Sequence, residues 1–214
     1  MAGLLILGAG GHGKVVSETA LLSNNWGEIA FLDDRKGLKE VLGIPVIGGF
    51  NDFGSYKNDY QYAFVAIGNN SLRLKWIERL SIRGFFIPTL VHPFSSISKT
   101  SNLGEGTIVM AGSVINANSS IGRGCIINTS SSIDHDCVIH DGVHISPGVH
   151  IGGTVSIDKC SWVSIGSSVI NNITIKNNVV VAAGTVVNKN IPGNTMVAGV
   201  PGKIKKQLGV VDNG

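Results

Sequence analysis

Charge is scarce in this sequence. Only 14% of its 214 residues are Asp, Glu, Lys or Arg, and the formal net charge is +3. A net charge this small gives no reason to expect nucleic acid or a membrane surface as a partner. Apolar runs long enough to span a bilayer are also missing, and no secretory signal peptide is expected. These absences favour a cytoplasmic protein.

Cysteine is equally scarce, with three residues in all. Three cysteines do not form the framework of a disulfide-stapled fold, and their small number suits a reducing compartment. Cys125 and Cys137 fall on positions that the repeat described below turns inward. We interpret both as packing residues, so neither is expected to act as an enzyme nucleophile.

Glycine, in contrast, is abundant, with 29 residues, and much of it follows a period of six. From Ile97 to Val187 every sixth residue is aliphatic, giving sixteen anchors in succession. A second small or apolar residue recurs four places after each anchor. Three places after most anchors, from Gly106 to Asn190, stands Gly, Asn or Asp, the residue types that tolerate a left-handed backbone. A short strand followed by a corner, three sides to a coil, predicts an all-β parallel β-helix.

The residues before Ile97 follow a different pattern, in which strands alternate with helices. We predict strands at 4–7, 29–32, 45–47 and 62–67, with one helix over about 14–22 and a second that ends near 82. This alternation is typical of an α/β domain with a small, Rossmann-like parallel sheet. Ligands of such sheets gather at the carboxyl ends of the strands.

Gly8, Gly10 and Gly13, with Asp33 twenty residues further on, match the fingerprint of a dinucleotide-binding turn. About ninety residues hold only one mononucleotide half, so a single nucleotide diphosphate is the better interpretation. Its phosphates would lie at the first helix's amino end, with Asp33 or Asp34 near the ribose or base. The alternative is that these glycines only make a tight strand-to-helix turn.

Four of the six histidines fall in one stretch of the repeat. His140, His144 and His150 adjoin anchors and should point outward from strands. His135 and Asp136 sit together at a corner, where an imidazole adds little to the core. A histidine beside a carboxylate is suited to be a general base, because the carboxylate fixes its tautomer and stabilises its charged form. The alternative is a corner aspartate with a solvated neighbour.

Five segments, taken together, resemble those of bacterial sugar acetyltransferases, nearest to the nucleotide-sugar N-acetyltransferases of the bacillosamine pathway, with sialic acid O-acetyltransferases as relatives. They are Gly8-Ala-Gly-Gly-His-Gly, Phe31-Leu-Asp-Asp, Ala66-Ile-Gly-Asn-Asn, Asn128-Thr-Ser-Ser-x-Ile-Asp-His-Asp-Cys and Val197-Ala-Gly-Val-Pro-Gly-Lys. The resemblance covers nearly the whole chain. It implies a left-handed β-helix, a homotrimer, acetyl-CoA as co-substrate and a nucleotide-sugar as acceptor, most readily a UDP-4-amino-sugar.

The resemblance also implies a division of the chain. Residues 1–92 would form the nucleotide-sugar-binding domain, residues 93–200 the acetyltransferase β-helix, and residues 201–214 a C-terminal tail. Lys203, Lys205 and Lys206 in that tail are expected to be solvated.

Site residues follow from the resemblance position by position. His135 would be the general base, assisted by Asp136, which stands where the family often has Glu, and by Asn128 in or near the active site. The residues expected to contact acetyl-CoA are His144, Gly153, Ile165 and Ala183; where the family has glycines, this chain has Ala182 and Ala183 before Gly184. The residues expected to contact the nucleotide-sugar are Gly10, His12, Gly13, Asp33, Asp34, Gly68 and Asn69.

Two other classes of function remain open at this point. One is a zinc hydratase of the same fold, because His135 and His140 have the spacing of two of its ligands. A further ligand would fall where this chain has Lys99 and Gly104, and a catalytic zinc needs three protein ligands, so no metal site is expected. The other is a non-catalytic nucleotide-sugar sensor, since a fold alone does not fix function. An O-acetyltransferase of the sialic acid type is a third alternative.

Overall fold

Residues 2–209 are described by the structure, a computed structural model, and they form two units of which one ends at Pro93 and the other begins at Phe94. The first unit is an α/β domain and the second a parallel β-helix. Across residues 2–209, no helix combines the length and the apolar character needed to cross a membrane.

The first unit is built on a five-stranded sheet with the order β3-β4-β2-β1-β5. Strands β1, β2, β4 and β5 are parallel, and β3 pairs antiparallel with β4. The elements in chain order are β1 (Ala2–Leu7), α1 (Gly11–Leu22), β2 (Trp26–Leu32), β3 (Glu40–Val41), β4 (Ile44–Gly48), a 3₁₀ helix (Phe50–Tyr56), β5 (Tyr62–Val65), α2 (Asn70–Ile82) and β6 (Leu90–Val91).

The centre of this sheet is apolar on both faces because helices and loops cover it. The last four residues of β1, from Leu4 to Leu7, are fully buried, as a strand inside a parallel sheet requires. Helix α2 packs Trp76, Ile77 and Leu80 into the same core. Helix α1 begins at Gly11, three residues before the predicted start, so the glycine-rich segment forms its first turn and Gly10 caps it with extended backbone.

The second unit contains sixteen two-residue strands, each of which ends at one of the sixteen predicted anchors. Each strand from β7 to β19 pairs in parallel with the strand 18 residues later, so three sides make one coil and stack into three faces. The first face holds β7, β10, β13, β16, β19 and β22; the second holds β8, β11, β14, β17 and β20; the third holds β9, β12, β15, β18 and β21 and continues into β23 and β24. The bounds are β7 (Ser96–Ile97), β8 (Asn102–Leu103), β9 (Ile108–Val109), β10 (Val114–Ile115), β11 (Ser120–Ile121), β12 (Ile126–Ile127), β13 (Ser132–Ile133), β14 (Val138–Ile139), β15 (His144–Ile145), β16 (His150–Ile151), β17 (Ser156–Ile157), β18 (Trp162–Val163), β19 (Ser168–Val169), β20 (Thr174–Ile175), β21 (Val180–Val181), β22 (Val186–Val187), β23 (Thr195–Ala198) and β24 (Lys203–Gln207).

The corners turn through left-handed backbone, as predicted. The residue three places after the anchor has a positive φ at every side from Gly106 to Gly184. Ser130, Thr154 and Cys160 adopt it too, at φ 55°, 59° and 58°, although their residue types do not favour it. The position in the coil therefore decides the corner more strongly than the residue type. The prediction is wrong for Asn190, which is not among the positive-φ residues and lies where the regular coils end.

The inward small residues do more than fill space. Buried Ser119 donates its hydroxyl to the carbonyl of Asp134 at 2.6 Å and accepts the backbone N–H of Cys137 at 3.1 Å. Ser161 does the same for Lys176 and Val179 at 2.7 and 3.0 Å. These hydroxyls satisfy corner groups that would otherwise be buried without a partner.

The C-terminal segment differs from the expected tail. Lys203, Lys205 and Lys206 lie on β24, which pairs antiparallel with β23. Their side chains are exposed, as predicted, but the backbone extends the third face because the edge of β23 offers free hydrogen-bonding groups there. Residues 210–214 of the expected tail lie outside the described residues.

Candidate active site

His135 lies on the corner between the first and second faces, between β13 and β14. Its Nδ1 is 2.8 Å from Oδ2 of Asp136, and the two side chains are 53% and 51% exposed. Because a carboxylate only accepts hydrogen bonds, the ring proton sits on Nδ1 and the lone pair on Nε2. The imidazole is thus held in the tautomer in which Nε2 accepts a proton.

The charges around the ring shift its pKa. The hydrogen bond that His135 donates to Asp136 raises the pKa of His135 above its ordinary value, and the charge of Asp134 adds to this. The hydrogen bond to His135 lowers the pKa of Asp136, so this carboxylate stays ionised. A histidine that is stabilised in its charged form is a stronger base, and it is free to act once the pH exceeds its raised pKa.

Three residues that support this pair are not evident from the sequence. Asp134 accepts the backbone N–H of His135 at 2.9 Å. One coil below, Asn116 donates to Asp134 at 3.1 Å and Asn118 donates to Asp136 at 3.4 Å. The spacing of 18 residues is the signal that would have found both asparagines, since residues one coil apart stack upon each other.

Asn128 and His144 meet on the third face. The side-chain nitrogen of Asn128 is 3.3 Å from Nε2 of His144. The His144 ring is stacked on Trp162, one coil further, at a centroid distance of 5.8 Å and an angle of 8°. Trp162 in turn donates its indole N–H to Ser146 at 2.7 Å. The flat stack fixes the orientation of His144 on the outer surface.

The predicted residues of the β-helix therefore form two sets. His135, Asp136 and Gly153 share the His135 corner, which is the column of Ala117, His135, Gly153 and Asn171. Asn128 and His144 lie on or beside the third face, and Ile165 and Ala183 lie on the Ile165 corner, the column of Ala111, Thr129, Pro147, Ile165 and Ala183. The first face separates the two corners within one chain.

The remaining histidines of the cluster lie elsewhere on the surface. His140 faces Asp158 at 3.7 Å, and Nδ1 of His150 is 2.8 Å from the hydroxyl of Ser132. Among residues 2–209, no three His, Cys, Asp or Glu side chains are grouped so that they could hold a metal ion.

The glycines of the α/β unit divide into two groups. A Cβ on Gly13 would lie 2.0 Å from the carbonyl oxygen of Gly8, and Gly8 itself has a φ of +106°. Both are needed for the close strand-to-helix turn. A Cβ on Gly10, Gly11 or Gly68 would meet nothing within 4 Å. These three face open space at the carboxyl ends of β1 and β5, which is where a ligand of a parallel sheet is expected.

Asp33 and Asp34 have different roles in the structure. Asp33 accepts the backbone N–H of Ala9 at 2.8 Å and pairs with Arg35 at 2.7 Å, so it fastens the glycine-rich turn to the end of β2. These contacts, led by Arg35, lower the pKa of Asp33 to about 2. Asp34 is exposed, and one of its oxygens accepts the backbone N–H of Phe50 at 2.7 Å. Asp34 is the better placed of the two to contact a ligand.

His12 lies in the first turn of α1, and one of its ring nitrogens is buried. Its Nε2 is buried and has no hydrogen-bond partner among the described residues. Burial, with the nearby charge of Arg73, lowers the pKa of His12 to about 4, so the ring is neutral at physiological pH. Arg73 is buried in α2 and donates to the carbonyls of Ile67 and Gly68 at 2.9 and 3.2 Å. A buried cation and a helix amino end at one place favour an anionic ligand.

Asn69 is the residue that caps the amino end of α2. Its side-chain oxygen accepts the backbone N–H of Leu72 at 2.9 Å and caps α2. This leaves the side-chain amide as the group that Asn69 could offer a ligand. The capping role explains the residue type without any ligand.

Comparisons with known proteins agree with this arrangement. Residues 3–80 match the PglD N-terminal domain family. A variant of perosamine N-acetyltransferase from Caulobacter crescentus, in complex with CoA and GDP-perosamine, is 36% identical with a TM-score of 0.93, and the alignment covers 97% of this chain and 98% of that one. The acetyltransferase domain of PglB from Neisseria gonorrhoeae FA1090, in complex with acetyl coenzyme A, is 39% identical with a TM-score of 0.92, covering 95% and 98%.

A curated relative is also an N-acetyltransferase, but it matches this chain over a shorter length. UDP-N-acetylbacillosamine N-acetyltransferase from Bacillus subtilis (strain 168) is 36% identical over 116 residues, and the match covers 52% of either chain, so this chain spans about half of that relative. The two solved structures, in contrast, match along almost their whole length. The chain therefore belongs to the acetyl-CoA-dependent nucleotide-sugar N-acetyltransferases, in which a PglD-type α/β domain precedes a left-handed β-helix of hexapeptide repeats.

Proposed function

We propose that this chain transfers the acetyl group of acetyl-CoA to the amino group of a nucleotide-linked amino sugar, with His135 as the general base. The observation that carries the proposal is the exposed His135–Asp136 pair, with Nδ1 and Oδ2 at 2.8 Å and Nε2 left as proton acceptor. A His so held suits direct transfer between two bound substrates, because the neighbouring thiol of Cys137 is buried inside the coil.

The reaction divides into steps that this pair can serve. The neutral amine attacks the thioester carbonyl carbon, and Nε2 of His135 takes the proton that the amine loses. The tetrahedral intermediate then expels the CoA sulfur, and the same imidazolium can return its proton to that leaving group. The products are an amide and free CoA, and Asp136 stabilises the imidazolium between the two proton transfers. A positioned general base typically contributes ~10² to 10⁴ in rate.

The acceptor site lies, by this proposal, at the carboxyl ends of β1 and β5. Open space at Gly10, Gly11 and Gly68 leaves room for a diphosphate against backbone amides, because no side chain intervenes. Asp34 is exposed and suited to accept from a ribose hydroxyl or a base N–H. His12 would donate or accept through Nε2, and Asn69 would offer its amide.

We propose a UDP-linked 4-amino-sugar as the acceptor. The UDP-acting relative from Bacillus subtilis supports this choice. The main alternative is a GDP-linked amino sugar, because the Caulobacter crescentus relative is in complex with GDP-perosamine. Both bases present an N–H that a carboxylate such as Asp34 can accept, so this contact alone does not distinguish UDP from GDP. The sugar amine that receives the acetyl group is common to both acceptors.

A homotrimer would complete the site. His135 and Gly153 lie on one corner, whereas His144 and Ile165 lie beyond the first face, so a neighbouring copy is needed to bring the two sets together. Trp162 and Ile165, at 42% and 57% exposure, give this side an apolar surface on which the pantetheine arm or the next subunit can pack. The co-substrate would then lie along the groove between two copies.

A cytoplasmic location fits this proposal. Acetyl-CoA and nucleotide-sugars are made in that compartment, and Cys125, Cys137 and Cys160 are free thiols in the structure. A reducing compartment keeps such thiols unpaired.

The experiment is a measurement of thiol release from acetyl-CoA with UDP- and GDP-linked 4-amino-sugars and free sialic acid as acceptors. The proposal expects release with a nucleotide-linked amine and a product whose mass has risen by one acetyl group. Preference for UDP supports the finer choice, and preference for GDP overturns it. Release only with sialic acid indicates an O-acetyltransferase. No release with any acceptor, despite nucleotide-sugar binding, indicates a sensor.

A further inference from the structure

Gly153 occupies a position of the coil at which no other side has glycine. It stands two places after its anchor, Ile151, and the equivalent residue carries a side chain at all fifteen other sides. Its φ is not left-handed, since Gly153 is absent from the positive-φ residues, and the left-handed corner follows at Thr154. The backbone therefore does not require glycine here, and the reason for it must be space.

The space above Gly153 is occupied by the His135 ring. A Cβ on Gly153 would lie 2.7 Å from both Cε1 and Nε2 of His135 and 3.2 Å from its Cδ2. Real Cβ atoms do not approach heavy atoms so closely. Other glycines of the repeat differ in this respect: a Cβ on Gly104 or Gly122 would meet the backbone of the next coil at 2.5 to 2.6 Å. At Gly153 the three nearest atoms all belong to the His135 ring.

The geometry points to Gly153 as a positioning residue for the general base, because its missing side chain is the space in which the His135 ring lies against the coil. The contact involves the edge of the ring opposite to Asp136. Asp136 thus holds the ring from the Nδ1 side. Because Gly153 has no side chain, the ring can lie close to the backbone of the coil, where it forms that hydrogen bond. This inference rests on the proposed role of His135.

Alanine at 153 separates the position of the ring from the stability of the fold. A methyl group there overlaps Cε1 and Nε2 of the present ring position, so the His135 ring must rotate, and this rotation disrupts the hydrogen bond between Nδ1 and Oδ2 of Asp136. The ring is the free end of a flexible side chain, so the backbone need not move. Since every other side tolerates a side chain at this position, the midpoint of thermal unfolding should stay close to that of the unaltered protein.

The test is Gly153→Ala in the full-length protein, read by NMR of the His135 imidazole and by kinetics. We expect the pKa of His135 to fall toward its ordinary value, because the Asp136 hydrogen bond that raises it is weakened. We expect kcat to fall ~10- to 100-fold through misplacement of the base. Ala117→Gly, one coil below in the same column, is the control for a changed Cβ at a corner and should alter neither quantity.

The double variant decides how Gly153 acts. If it acts through the ring, Gly153→Ala has no further effect on the residual rate of His135→Ala. A further loss of tenfold or more in the double variant, or an unchanged titration of His135 in Gly153→Ala, overturns the inference. If His135→Ala alone leaves the rate intact, the proposed function fails, while the NMR titration still reports whether Gly153 positions the ring.

Discussion

Asp136 sets the protonation of His135, and so it sets the pH at which the proposed base becomes active. The hydrogen bond to Asp136 raises the pKa of His135, and the base must be neutral to accept a proton. The rate should therefore rise with pH through a pKa that lies above the ordinary histidine value.

Asp136→Asn removes the charge and should move the ascending limb of kcat/KM to lower pH, since the imidazolium is no longer stabilised. At pH 8 we expect a loss of about 10²-fold, because the asparagine no longer enforces the reactive tautomer. Asp158→Asn, beside His140, is the matched control and should leave the profile in place. An ascending limb that does not move in Asp136→Asn would contradict this role.

His12 gives a second prediction at this scale. Its pKa of about 4 in the folded protein lies below the ordinary value of 6.5. Between these values the unfolded chain binds a proton that the folded chain does not, so the free energy of unfolding falls as the pH drops from 6.5 to 4. The loss amounts to about 3 kcal/mol at most.

His12→Gln should flatten this pH dependence, and denaturant unfolding at pH 7 and pH 5 measures it. The imidazole NMR signal of His12 should show no titration between pH 8 and pH 5.5. A midpoint near 6.5 would show instead that the ring is solvated and that its Nε2 is not orphaned.

The elements of the β-helix depend on hydroxyl groups in its interior. Ser161 donates to the carbonyl of Lys176 and accepts from the N–H of Val179, and all of it is buried. Ser161→Ala leaves both backbone groups without this partner and should lower the free energy of unfolding by about 1–3 kcal/mol. Ser168→Ala, on the outward side of β19, serves as the comparison and should cost far less. Equal losses in the two variants would refute the proposed role of the inner hydroxyls.

A left-handed corner lowers the free energy of unfolding where its residue type does not favour that backbone conformation. Thr154 is β-branched and has a φ of 59°. Thr154→Asn should raise the free energy of unfolding by about 1 kcal/mol, because asparagine tolerates this conformation. Gly148→Thr, at a corner with a φ of +64° and no atom near its Cβ position, should lower it for the same reason. Thermal unfolding of both variants measures this, and a destabilised Thr154→Asn would be the contrary result.

The sequence pattern specified the strands better than the corners. Every anchor is the second residue of a strand because one apolar side chain per side must reach the axis, and the period of six records that demand directly. Thr154 and Cys160 turn the corner without a favourable residue type, so the coil geometry overrides local preference there. The inner hydrogen bonds of Ser119 and Ser161 were not predicted, since they join residues 15 and 18 apart that meet only after the coil closes.

The site was predicted unevenly for a related reason. His135 beside Asp136 is visible in the sequence because the two are neighbours. The burial of His12 and the position of Arg73 beneath Gly68 arise from packing between α1, α2 and the sheet, which no local pattern records. Asp33 is expected near the ligand, and the sequence did not reveal its additional structural role, which is its pairing with Arg35 and with the N–H of Ala9.

At the scale of the whole molecule, the two sets of site residues make the homotrimer testable. His135→Ala and His144→Ala should each form inactive homotrimers if one subunit supplies His135 and the next supplies His144. Co-expression with two affinity tags should give mixed trimers that recover about a third of the activity per site, since one of the three interfaces in each mixed trimer pairs two intact halves. No recovery in mixed trimers of verified composition would mean that each site is built within one chain.

His135 is proposed to carry the proton transfer in acetylation of a nucleotide-linked amino sugar. The most direct measurement compares single-turnover acetylation by the unaltered protein and by His135→Ala with saturating acetyl-CoA and a UDP-4-amino-sugar, while calorimetry records nucleotide-sugar binding to both. We expect a rate lower by ~10² to 10⁴ in the variant, with the same Kd for the nucleotide-sugar. A variant that acetylates at the original rate, or that no longer binds the nucleotide-sugar, would contradict it.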